Sequence, residues 1–178
     1  NKVFEVIEAK KIFDIDLKKF NIWIHPISYV HAIIKFKNGL IKLIAHETDM
    51  RIPIFNSIYN SNIKTFNSKK ININFLNNLN FSKADPKQYP LINILKKIPK
   101  NETLFETILV SVNDELVQLF LKEKISFEDI SIFLNRILNN KIFSKYRLKK
   151  VNNFREIQKL NEFVRLKTNT LSVISKSL

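Results

Sequence analysis

The one glycine of this 178-residue chain is the residue that most constrains its fold. It follows Asn38 and separates two β-rich runs, residues 29–37 and 40–46. Asn-Gly is the preferred pair for a tight hairpin turn, because both central residues must take positive φ. A two-residue turn there sets Lys37 opposite Leu40 and pairs each earlier residue with the matching later one. One face then carries Ala32, Ile34, Phe36, Ile41, Leu43 and Ala45. The other carries His31, Ile33, Lys35, Lys42, Ile44 and His46, so that His31 faces His46. The pattern predicts a hairpin with one apolar side and one mostly polar side.

Around this hairpin the periodicity predicts further elements. Residues 2–13 carry Val3, Val6, Ile7 and Phe13 between charged residues, as an amphipathic helix would, and stop at Asp14. Residues 21–25 read as a short strand ended by Pro26. Residues 56–83 are rich in Asn, Ser and Lys and read as a connecting segment with one short strand near 71–76. Helical patterns follow over about 90–97, 103–123, 129–138 and 153–167. The expected fold class is α+β: a short mixed α/β unit with a β-hairpin, followed by a small helical bundle.

Composition narrows the function classes. Hydrophobic residues make up 45% of the chain, enough for a packed core. The absence of cysteine excludes disulfides, thiolate metal sites and a thiol nucleophile. No uncharged apolar stretch reaches the roughly 18 residues of a membrane helix. The chain opens at Asn1 without a start methionine or a signal pattern, so a trimmed or partial chain is expected. The net charge of +14 invites a polyanion partner. Yet about two-fifths of the residues are Ile, Asn or Lys, the signature of A/T-rich codons, and the basic residues are almost all scattered lysines. Arginine is the usual bidentate reader of nucleic acid, so the balance favours a solvated lysine surface.

Several constellations could carry chemistry. Asn1 and Lys2 at a helix N-terminus suit a phosphate, since free N–H groups and the ammonium both favour an anion. Glu5 and Glu8 share a helix face and suit a hard cation or acid–base work, although such pairs are commonly solvated charges. His31 and His46 could begin a metal site with Glu47 or Asp49, or be ordinary histidines of a polar face. No phosphate-binding loop, dinucleotide-binding glycine fingerprint or serine-nucleophile elbow is present.

Three of these segments also occur in a familiar order. Asn1-Lys2-x-x-Glu5-x-Ile7-Glu8-Ala9, Ile24-His25-Pro26-x-Ser28-x-x-His31 and Asp49-Met50-Arg51-x-Pro53-Ile54 resemble the 1-deoxy-D-xylulose 5-phosphate reductoisomerase family. The likeness resumes at Tyr89-Pro90, Asn113-Asp114, Phe120-Leu121 and Asp129-Ile130. The resemblance implies an NADPH-dependent, Mg²⁺- or Mn²⁺-dependent rearrangement and reduction of 1-deoxy-D-xylulose 5-phosphate to 2-C-methyl-D-erythritol 4-phosphate, in non-mevalonate isoprenoid biosynthesis.

It also implies roles for individual residues. Glu5 would be a metal ligand, with Lys2 and Glu5 catalytic. Asn1, Lys2, Glu5, Ser28, His31 and Met50 would bind substrate, while Glu8 would act only behind the ligands. Residues 1–64 would complete the catalytic domain, 65–88 would connect, and 89–178 would be the C-terminal helical domain. The NADPH-binding domain and the remaining metal carboxylates would precede Asn1, so this chain alone is expected to be inactive. The intact enzyme would be a cytoplasmic homodimer acting on a sugar phosphate, with no membrane or nucleic-acid partner. Departures from the family pattern fall at Ile27, His46, Thr48 and Val110. Two other functions compete: a basic module binding RNA or another polyanion, and a degenerate dimerisation partner.

Overall fold

A computed structural model describes residues 1–59 and 64–174. The elements run α1 (Lys2–Phe13), β1 (Trp23–Ile24), β2 (Val30–Lys35), β3 (Ile41–Ala45), α2 (Arg51–Ile58), α3 (Ile73–Asn77), β4 (Ser82–Lys83), a 3₁₀ segment (Pro90–Lys97), α4 (Leu104–Leu121), α5 (Phe127–Leu138), α6 (Lys141–Ser144) and α7 (Phe154–Ile174). The class is α+β, as expected. No described helix is long and apolar enough to cross a membrane.

Two compact units are present, residues 1–21 with 85–178 and residues 22–84. In the first, α4 is the central helix and packs on α5 and α7. Leu104, Ile108, Leu109, Val112, Leu116 and Leu119 recur at helical spacing and are almost wholly buried, so α4 presents apolar surface to several neighbours. Its start is a reciprocal capping box: the Thr103 hydroxyl accepts from the Phe105 N–H, and the Glu106 carboxylate accepts from the Thr103 N–H. Ser126 and Asp129 build a second capping box at the start of α5.

Helix α1 belongs to this same unit. Val3 and Ile7 are buried in one core with Ile94, Ile98 and Leu104. The sequence grouped residues 1–64 as one domain, but the compact units divide differently. Burying the Val3–Ile7 stripe against the bundle is what assigns α1 to the helices. Phe13, expected on the apolar face, is exposed, because the helix ends in the left-handed Asp14 before that turn can pack.

In the second unit β2 and β3 form an antiparallel hairpin and β1 pairs with β4. The hairpin register differs from expectation by one residue. Lys35 pairs with Ile41, Ile34 with Lys42 and Ile33 with Leu43. The Gly39 N–H donates to the Phe36 carbonyl and the Phe36 N–H to the Leu40 carbonyl, which leaves a three-residue connection. Gly39 takes φ +88°, and the Asn38 side chain accepts from the Leu40 N–H. Such a loop uses Asn-Gly as well as a two-residue turn does, with glycine at the left-handed position. The shift dissolves the expected clean faces. Ile33, Lys35, Ile41 and Leu43 now share one side, and Ala32, Ile34, Lys42 and Ile44 the other.

One further expectation fails in this unit. Residues 73–77, expected near a short strand, form helix α3 because the Asn72 side chain caps the Asn74 N–H. Residues 60–63 of the expected connecting segment lie outside the described residues.

Candidate functional site

The first turn of α1 gathers three of the expected site residues. Asn1 is the N-cap, and its carbonyl accepts from the Phe4 and Glu5 N–H groups. Its side chain does not cap the helix but donates through Nδ2 to Glu5 Oε1 at 2.8 Å. The Lys2 ammonium donates to Glu5 Oε2 at 2.6 Å. Both carboxylate oxygens are thus held by neighbours one turn away. The cluster is exposed, because Val3 and Ile7 turn the opposite side of α1 to the core. Glu8 lies one turn along the exposed side.

The far end of α1 is anchored to α4. Lys10 Nζ lies 3.8 Å from Glu106 Oε1 and donates to the Pro99 carbonyl at 3.3 Å. Lys11 Nζ lies 3.6 Å from Glu106 Oε2. These contacts were not anticipated. The Thr103-x-x-Glu106 pattern carried the capping signal, and the 3-7-10 stripe placed Lys10 beside the buried face.

Ser28, His31 and Met50 belong to the second unit. Ser28 sits at φ +50°, a left-handed conformation uncommon for a residue with a side chain, and its N–H donates to the His25 carbonyl. His31 occupies a register irregularity: Val30 pairs with Ala45 and Ala32 with Ile44, so one extra residue is accommodated between them. The imidazoles of His31 and His46 stack with centroids 3.6 Å apart and planes within 9°. Met50 is exposed immediately before α2.

Asp49, at the start of α2, accepts from the Arg51 backbone N–H and guanidinium. The Arg51 side-chain hydrogen bonds come first, then its backbone N–H, in lowering the Asp49 pKa to about 2.

Could these residues hold a divalent cation? Glu5 supplies a hard oxygen donor on an exposed helix face, the right chemistry for Mg²⁺ or Mn²⁺. It supplies one ligand. Among the described residues no three His, Asp or Glu side chains converge on a point. Each ring of the His31–His46 pair directs one nitrogen at a backbone carbonyl, that of His46 and of Glu47 respectively, and among the described residues neither Glu47 nor Asp49 joins them in a three-ligand group.

A family model described as the DXP reductoisomerase C-terminal domain matches residues 46–167, more than half of the chain. The chain belongs to the DXP reductoisomerase family. A 1-deoxy-D-xylulose 5-phosphate reductoisomerase of Pelagibacter ubique is 54% identical over 97% of this chain and 45% of its own length. That of Persephonella marina is 34% identical over 82% of this chain and 39% of its own length. The chain therefore spans less than half the length of these reductoisomerases.

Solved structures of the family share the fold. A DOX-P reductoisomerase in complex with NADPH, fosmidomycin and magnesium superposes with a TM-score of 0.87 at 23% identity, over 99% of this chain and 44% of its own. The Zymomonas mobilis reductoisomerase in complex with NADPH gives 0.82 at 24% identity, over 97% and 44% respectively. Within the family match lie Met50 and the helices from α2 into α7, whereas Asn1, Lys2, Glu5, Ser28 and His31 precede it.

Proposed function

We propose that this chain is the C-terminal part of a working 1-deoxy-D-xylulose 5-phosphate reductoisomerase, which rearranges its substrate and reduces the product with NADPH to 2-C-methyl-D-erythritol 4-phosphate. The observation that carries this reading is the Asn1–Lys2–Glu5 cluster on the exposed first turn of α1, in a chain 54% identical to a reductoisomerase.

Glu5 is proposed as one carboxylate ligand of a Mg²⁺- or Mn²⁺-class cation, with its other ligands from the part of the enzyme this chain does not span. A bound divalent cation would polarise the substrate's ketone and hydroxyl oxygens and stabilise alkoxide charge during the carbon shift. Asn1 holds the Glu5 carboxylate in place through its amide. Lys2, which neutralises Glu5 in the free protein, can turn its ammonium to a substrate oxygen or phosphate once the carboxylate has another positive partner. The N–H groups of the first turn add favourable charge for the same anion. Ser28, His31 and Met50 are proposed as further substrate-binding residues.

Residues 1–64 carry every proposed site residue and are proposed as the end of the catalytic domain. Residues 65–88 would be the connection and 89–178 the helical domain. NADPH is proposed to bind outside this chain, and the intact enzyme to be a cytoplasmic homodimer.

The test is NADPH consumption by the complete enzyme with 1-deoxy-D-xylulose 5-phosphate and Mg²⁺. Glu5→Gln keeps the Asn1 hydrogen bond but removes the charge, so activity should fall by orders of magnitude with the fold retained. Unchanged activity would remove Glu5 from the site. The isolated 178-residue chain should not consume NADPH above blank.

A further inference from the structure

We propose that His46 is a positioning residue for His31, holding its imidazole in one plane and one tautomer before substrate arrives. The proposal rests on the reading of His31 as a substrate-binding residue. Three features converge on the His31 ring. The extra residue in the β2–β3 ladder falls at His31 and re-aims its side chain. The His46 ring lies flat on it at 3.6 Å. Its Nε2 lies 3.2 Å from the His46 carbonyl, an atom that only accepts, so His31 carries a proton on Nε2.

The His46 ring is itself held. Its Nδ1 faces the Glu47 carbonyl, which by the same argument makes it the Nδ1–H tautomer. The backbone at this point is tied by the His46 N–H, which donates to the Tyr29 carbonyl at 3.1 Å. His46 therefore presents a fixed flat surface. An otherwise exposed histidine on a two-stranded hairpin would sample several rotamers and lose that freedom on binding substrate. Stacking removes the cost beforehand, which is preorganisation. Of the three features, only the ring can be deleted without changing the backbone.

The experiment uses the complete enzyme and reads substrate KM and kcat separately for His31→Ala, His46→Ala and His46→Phe. Removing the ring should raise substrate KM about threefold to tenfold, the scale of one immobilised side chain, with little change in kcat. His46→Phe keeps a flat ring and should restore KM. A wild-type KM in His46→Ala, beside an impaired His31→Ala, overturns the proposal alone. So does a His46→Phe enzyme no better than His46→Ala. An unimpaired His31→Ala overturns the reading of His31 and this proposal with it. Imidazole nitrogen spectra of the unaltered enzyme give a check independent of variants: the expected forms are Nε2–H for His31 and Nδ1–H for His46, and the opposite tautomer at either ring overturns the proposal.

Discussion

Lys10 and Glu106, 96 residues apart in the chain, meet with Nζ and Oε1 at 3.8 Å, their side chains 14% and 7% exposed. This pair fastens the helix that carries Glu5 to the central helix of the bundle. Glu106 also closes the α4 capping box through the Thr103 N–H.

Replacing Glu106 with Ala should therefore destabilise the complete protein by about 2–4 kcal/mol, since it removes the only carboxylate paired with the largely buried Lys10 ammonium among the described residues and the acceptor of the buried Thr103 N–H, half of the capping box. Lys11 is more exposed and contributes little beyond this. Glu106→Gln can keep the capping hydrogen bond and should lose less. Thermal unfolding measures both, and a melting temperature unchanged in Glu106→Ala would refute the anchoring role.

Leu116 is wholly buried at the middle of α4, whereas Val110 on the same helix is exposed. Leu116→Ala should cost about 2–5 kcal/mol from lost burial and the cavity left behind. Val110→Ala should fall within roughly 0.5 kcal/mol of wild type. Equal losses in urea titrations of the two variants would contradict the placement of α4.

Gly39 sits at φ +88°, and a Cβ there would meet nothing within 4 Å. The penalty of a side chain is then conformational alone. Gly39→Ala should destabilise the hairpin by about 1–2 kcal/mol and Gly39→Asn by less, because Asn tolerates the left-handed region. Local hydrogen exchange in β2 and β3 would report it; faster exchange in Asn than in Ala would contradict the turn geometry.

Asp49 should titrate with a midpoint of about 2 in the folded protein, against an ordinary value of 3.8. The depressed value means that its bonds to Arg51 stabilise the fold fully above the ordinary carboxylate pKa. That contribution is lost as pH falls through about 2. Carboxyl-carbon NMR measures the midpoint directly. Arg51→Ala should move it up towards the ordinary value; a midpoint that stays put would show that Arg51 is not the cause.

The local elements were legible because they rest on nearest-neighbour chemistry. Helix α1 follows from its Val3–Ile7 stripe, and the long helices from apolar spacing. The hairpin follows from one Asn-Gly pair, whose turn admits two loop lengths with different registers. His31 still meets His46, but diagonally: the irregularity at His31 adds to the shifted turn, so His46 lies opposite Tyr29, to whose carbonyl its N–H donates, and the two rings reach each other across the ladder. Periodicity assumes an unbroken ladder and cannot register insertions, so it brought the two rings together in the wrong register and misassigned the faces between them.

Legible in the residues alone, then, are the helices α1, α4, α5 and α7, the place where the hairpin turns, the family, and the Asn1–Lys2–Glu5 spacing that puts three polar groups within one helical turn; the short helices α2, α3 and α6 are not. Their fastening became visible only in three dimensions: α1 to the bundle through Val3, Ile7, Lys10 and Glu106, and the hairpin in a register set by its three-residue loop and the irregularity at His31. The reason is physical. Helix and turn signals arise from residues a few positions apart, whereas burial and ion pairing join residues whose separation along the chain carries no information about their distance in space.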